Sequence, residues 1–133
     1  MNRRIARIVH TAMVGGVVAI ALAFGFVREV APPDPLNIVL VLRLVAFAEV
    51  VGMLVLWRVL RGGMQPLRGG RDEDAWWQVN GPRAFVVWAL AEGSATVGAV
   101  FWYLTGDALI LVGVLGVSLL VLVANRTGVL VGY

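Results

Sequence analysis

The sequence predicts an all-α fold, an integral membrane bundle of four antiparallel helices, and three observations carry that prediction. Of the 133 residues 60% are hydrophobic and 14% charged, against roughly 25% charged in an ordinary soluble domain. The apolar residues gather into four runs, each near the ~20 residues that cross a bilayer as a helix. The charges lie between those runs and are unevenly divided among the connections. The chain is read as a single transmembrane domain, residues 1–133, with spans at about 8–27, 36–60, 82–104 and 107–124 and a polar loop at 61–81.

The first seven residues, MNRRIAR, lead into an apolar run from Ile8 to Val27. A signal peptide shares the basic start, but its apolar core is about 7–15 residues and ends at a small-residue cleavage site. This run is longer and ends at Arg28-Glu29, so it is expected to be a retained first span. Gly15, Gly16 and Gly25 give it smooth patches for a neighbouring helix. His10, about a turn inside the basic end, is expected at the interface.

Pro32, Pro33 and Pro35 make residues 28–37 an extended connector, because proline cannot continue a helix. The second span carries Arg43 and Glu49 and closes on Trp57, Arg58 and Arg61, an interfacial anchor. In the loop, two Gly-Gly pairs and Pro66 argue against regular structure. Its GGRDED stretch lacks the spacing and the Lys of a phosphate loop. Trp76 and Trp77 are expected to return the chain to the interface. Asn80-Gly81-Pro82 reads as a turn that places Pro82 first in the third span, where its missing N–H costs nothing. That span ends in the aromatic pair Trp102 and Tyr103. Thr105-Gly106-Asp107 is too short for anything but a hairpin, so spans three and four are antiparallel neighbours. The fourth, Ala108 to Ala124, has no charge and ends at Asn125-Arg126.

All eleven basic residues are arginine. Four spans put both termini on one side, together with Arg3, Arg4, Arg7, Arg58, Arg61, Arg68, Arg71, Arg83 and Arg126. The other side receives Arg28, and Arg43 lies within a span. The excess of arginine on cytoplasmic loops predicts a bacterial inner-membrane protein with both termini in the cytoplasm. The same topology accounts for the basic character of the chain, so no nucleic acid partner is expected. The chain has no Cys and one His, which excludes disulfides and thiol ligands and leads to the expectation of no metal and no cofactor.

The residues singled out are the embedded charges. Glu49 precedes Arg58 by nine residues and Glu92 follows Arg83 by nine, which places each acid about 13–14 Å above the arginine level at ~1.5 Å per residue. That is mid-depth in a ~30 Å hydrocarbon core, where a lipid-facing acid would cost roughly 2.5–3.5 kcal/mol. Both are therefore expected to face protein or water, on the same side of the bundle. Ala46 and Gly52 near Glu49, and Ala89, Ala95 and Ala99 near Glu92, allow close helix approach. Arg43 lies within snorkelling reach of the outer end of its span; a bridge to Glu92 on the neighbouring helix, or to a partner subunit, is the other option.

The stretches RIVHTAM, ALAEG and FWYLTGD, with an apolar fourth span followed by Asn-Arg, resemble a family of small bacterial four-span membrane proteins of unknown function. Its third span also reads Ala-Leu-x-Glu-Gly and ends in a Leu-Thr-Gly-Asn/Asp turn. That resemblance implies the four-span fold and no activity. The chain is also distantly similar to the proteolipid subunits of rotary ATPases, which are small, rich in Gly and Ala, and carry a mid-membrane Glu. Those with four spans place the acid on spans two and four, where this chain has it on two and three, and their Gly-x-Gly series in the first helix is missing here. Two functions are compatible with these features. One is a non-catalytic structural or assembly subunit, partnered by lipid and by other membrane subunits or further copies of itself. The other is a proton- or cation-coupled carrier or channel component that uses the two acids as a pair. No nucleophile–base pair or cofactor motif points to an enzyme.

Overall fold

The computed structural model describes residues 1–33, 38–65, 67 and 72–131. The expectations for Pro35, Leu36, Asn37, Pro66, Arg68, Gly69, Gly70 and Arg71 lie outside these. Four long helices form: α1 (Arg3–Val30), α2 (Val39–Gly62), α3 (Glu73–Thr105) and α4 (Ala108–Ala124), followed by a short α5 (Thr127–Val131). Among the described residues there is no strand. The first three are long and apolar enough to cross a membrane, while α4 is shorter at 17 residues.

Local chemistry sets the helix ends. The Asn2 side chain accepts from Ile5 N–H at the start of α1, Asp72 accepts from Asp74 N–H at α3, and Asp107 accepts from Leu109 N–H at α4. Each thereby satisfies a donor that an isolated helix leaves open. At the end of α3, Gly106 takes a left-handed conformation, φ 72°, and its N–H returns to Trp102 O. A side chain there would be strained, and would also strike the Arg28 guanidinium packed over it.

The start of the third helix corrects the sequence reading. Asn80-Gly81-Pro82 is not a turn, because α3 begins at Glu73 and Pro82 lies inside it. The third helix thus starts nine residues before the expected 82, and the segment between α2 and α3 is 10 residues long instead of the 21 of the 61–81 loop expected. The competing forces are unequal. Pro82 removes only the bond to Gln78 O, on an exposed stretch. Asp72, Glu73 and Asp74 supply a cap and two negative charges at the positive end of the helix dipole.

Side-chain bridges show how the helices run. Arg3 pairs with Glu73 at 3.0 Å and its N–H bonds Asp74, and Arg28 donates to Trp102 O at 3.2 Å, so α1 and α3 are parallel. Arg43 pairs with Asp107 at the starts of α2 and α4, and Arg61 donates to Ala124 O at 2.8 Å where both end. Consecutive helices therefore alternate in direction, and the first and last described residues lie at one end of the bundle. α3 is the central element. It packs against α1, α2 and α4 and contributes twelve buried residues, against two each from α1 and α2. Gly98 brings α3 and α4 together, since a Cβ there would fall 2.7 Å from Val114 Cβ. The outer faces of α1 and α2 remain apolar and open, with Leu22 and Phe47 each 70% exposed.

Candidate functional site

Glu92 projects from the middle of α3 toward α1. Its carboxylate lies so close to Gly16 that even a methyl group on Gly16 would overlap Oε1. Glu49 projects from α2 toward the other side of α3, beside the buried Ser94. It lines a cleft with Gly52, Met53, Leu56, Ala89, Leu90 and Gly93. Residues 92 and 94 are ~200° apart on a helix and ~3 Å apart along its axis. The two acids therefore sit at similar depth but on opposite faces of α3. They do not form the pair on one side of the bundle that their spacing predicted. The reason is that α1 and α2 flank α3 instead of meeting, so an acid on α2 and an acid on α3 aimed at α1 cannot converge.

No arginine pairs with either acid among the described residues. Glu49 Oε2 is buried with no hydrogen-bond partner. Arg43 turns away from both acids to Asp107 at the α3–α4 hairpin, a partner that sequence spacing did not suggest. The small residues divide by neighbour. Gly52 and Ala89 line the Glu49 cleft, Ala46 packs with Ile110 and Val114 of α4, and Ala95 and Ala99 are fully buried on α3.

The expected interfacial aromatics also divide. Trp76 and Trp77 are 7% and 0% exposed, so they do not form an outward belt. They stack edge to face at 4.8 Å, and Trp77 lies 6.1 Å from Trp88. Trp76 Nε1 donates to Gln65 O. Trp102 lies under the Arg28 guanidinium at 5.8 Å, and Tyr103 OH donates to Ala31 O at 3.2 Å. Trp57 is part-buried, and its indole N–H has no acceptor among the described residues.

A second constellation, absent from the sequence reading, closes the C-terminal end of α4. The last carbonyls of a helix have no partner within it. Here the Asn125 N–H is shared by Val121 O and Leu122 O, and side chains add to it: Val121 O accepts from Asn125 Nδ2 at 2.6 Å, Leu122 O from His10 Nε2 at 2.9 Å, and Ala124 O from Arg61. The Asn125 carbonyl accepts from Trp88 Nε1 at 2.9 Å, and its Oδ1 accepts from Arg61 at 3.0 Å. Because Leu122 O can only accept, the His10 Nε2 carries the proton. His10 also meets Trp88 edge to face at 5.1 Å, so it is packed inward. All three other long helices thus end their polar side chains on the α4 terminus, around Asn125, which is fully buried. The only sequence signal was the Asn directly after an uncharged run.

Among the described residues no group of three or more His, Cys, Asp or Glu side chains is placed to hold a metal ion. Compared with protein-family models, with curated proteins and with solved structures, the chain finds no match.

Proposed function

We propose that the protein is a four-span inner-membrane protein, with both termini cytoplasmic, that serves as a non-catalytic assembly subunit of a larger membrane complex. In this reading Glu49 is the point of contact. A helix of another subunit lies in the cleft between α2 and α3 and brings a hydrogen-bond donor to the carboxyl group. The observation that supports it is the buried, unpartnered Oε2 of Glu49 at a cleft where Gly52 and Gly93 have no atom within reach of an added Cβ. A polar group left unpaired in apolar surroundings costs roughly 1–3 kcal/mol, and small residues admit a helix backbone closely enough to satisfy it. Glu92, folded against Gly16, is a packing element between α1 and α3.

Native mass in mild detergent tests this reading. The expected result is a particle heavier than the single chain that survives Glu49→Gln, since an amide keeps the hydrogen-bonding capacity, and dissociates with Glu49→Leu. A monomeric wild type, or an assembly indifferent to Glu49→Leu, would remove the proposal. The alternative of a proton- or cation-coupled component has the same orphaned oxygen in its favour. It predicts the opposite for one variant, because Glu49→Gln cannot titrate and would abolish proton flux into vesicles.

A further inference from the structure

At the end of the bundle that carries most of the arginines, residues of the last turns of α2 and α4 and of α5 line a cleft. It is lined by Leu54, Trp57, Arg58, Arg61, Ala124 and Val129. Two arginines and a tryptophan are among the residues that line it. Arg58 is exposed and has no ion pair or hydrogen bond among the described residues. Arg61 uses Nη1 for Ala124 O and Asn125 Oδ1, which leaves the rest of its guanidinium fork uncommitted. The Trp57 indole N–H is buried without an acceptor among the described residues. Among the described residues no carboxylate lines the cleft to neutralise these groups.

We propose that this cleft binds the phosphate of an anionic phospholipid, with Arg58 and Arg61 as the phosphate-binding groups and Trp57 as the wall beside them. The assignment rests on the membrane reading above, but not on assembly with a partner. A guanidinium fork matches phosphate oxygens in charge and geometry. Basic clefts between helices at the cytoplasmic surface are suited to such headgroups. The lipid source is favoured over free phosphate by what borders the arginines. Leu54 and Val129 form the apolar side of the cleft, and the outer faces of α2 and α4 continue it with Val55, Val59, Leu120 and Val123, between 56% and 69% exposed. A headgroup held by the arginines would therefore lay its acyl chains along apolar helix surface.

The test is thermal unfolding of the purified full chain in neutral detergent, titrated with dioleoyl phosphatidylglycerol, dioleoyl phosphatidylcholine or inorganic phosphate. Phosphatidylglycerol is expected to raise Tm saturably, and the other two are not. Arg58→Gln removes one charge-assisted contact and should weaken the apparent affinity about tenfold. Arg4→Gln, an exposed arginine at the same end, should leave it unchanged. Arg61→Gln also loosens the α4 terminus, so for that variant the lipid-induced shift is read relative to its own lipid-free Tm. Equal stabilisation by inorganic phosphate would overturn the lipid assignment. Equal weakening by Arg4→Gln and Arg58→Gln would show diffuse surface charge and overturn the site. The native mass of the same samples reports assembly separately, so loss of one result does not imply loss of the other.

Discussion

Asn125 does three jobs with one residue. Its side chain returns to Val121 O and receives Arg61, and its backbone carbonyl receives Trp88. In apolar surroundings each backbone group left open costs several kcal/mol in the limit, so this closure is where polar groups matter most. Asn125→Ala removes two side-chain hydrogen bonds, although Val121 O keeps the backbone N–H of residue 125 and Arg61 keeps Ala124 O, and should lower unfolding stability by about 1–2 kcal/mol. Ser118 is the contrast. It is fully buried, yet its Oγ has no partner, so Ser118→Ala removes an unsatisfied group and should be neutral or slightly stabilising. Thermal unfolding of the two variants side by side decides the matter; a Ser118→Ala variant as damaged as Asn125→Ala would refute the accounting. The embedded acids could be read in the sequence because a charge in an apolar run stands out. The groups closing α4 could not, because half of them are backbone carbonyls, which every residue possesses. Which three carbonyls need help is decided only when the helix stops.

At the scale of the helix, α3 differs from its neighbours in having no single buried stripe. It is surrounded, with Ala91, Ser94, Ala95, Gly98 and Ala99 all buried along its middle. Small residues there are a packing requirement, and Gly98 is the tightest case. An added Cβ would sit 2.7 Å and 2.8 Å from Val114 Cβ and Cγ1, and valine has few rotamers with which to yield. Gly98→Ala should therefore push α3 and α4 apart and destabilise by about 1–3 kcal/mol, an overpacking cost. Gly116→Ala on α4, where nothing lies within 4 Å, should be tolerated and gain up to about 1 kcal/mol in helix propensity. A tolerated Gly98→Ala would mean that the α3–α4 contact is looser than described. The run of small residues was visible in the sequence, but its meaning was assigned to the acid it surrounds. Only the central position of α3 shows that the same residues serve contacts on several sides. The start of α3 was missed for a different reason. Pro82 is a strong local signal, and it outweighed the quieter capping signal of Asp72-Glu73-Asp74 ten residues earlier.

At the scale of the whole molecule, the alternation of helices follows from short connections, and the distribution of charge then predicts an orientation. Among the described residues, one end carries Arg3, Arg4, Arg7, Arg58, Arg61, Arg83 and Arg126 with Asp72, Glu73 and Asp74, a balance of 7 − 3 = +4. The other carries Arg28 and Arg43 with Glu29 and Asp107, a balance of 2 − 2 = 0. Both basic residues of that end are engaged, Arg28 on the carbonyls closing α3 and Arg43 on Asp107. The structure thus gathers seven of the nine described arginines at the end where α1 begins and α4 stops, as their positions in the sequence implied. Retention of Arg on the cytoplasmic side predicts which end that is. The chain has no cysteine, so single cysteines report without background. Gln65→Cys, exposed after α2, should react with a membrane-impermeant maleimide only in inverted vesicles. Ala31→Cys, exposed after α1, should react only in intact spheroplasts. Opposite labelling of both would reverse the orientation and move the Arg58–Arg61 cleft to the periplasmic leaflet. Labelling of both from one side would break the alternation itself, because α2 would then no longer cross the membrane between them.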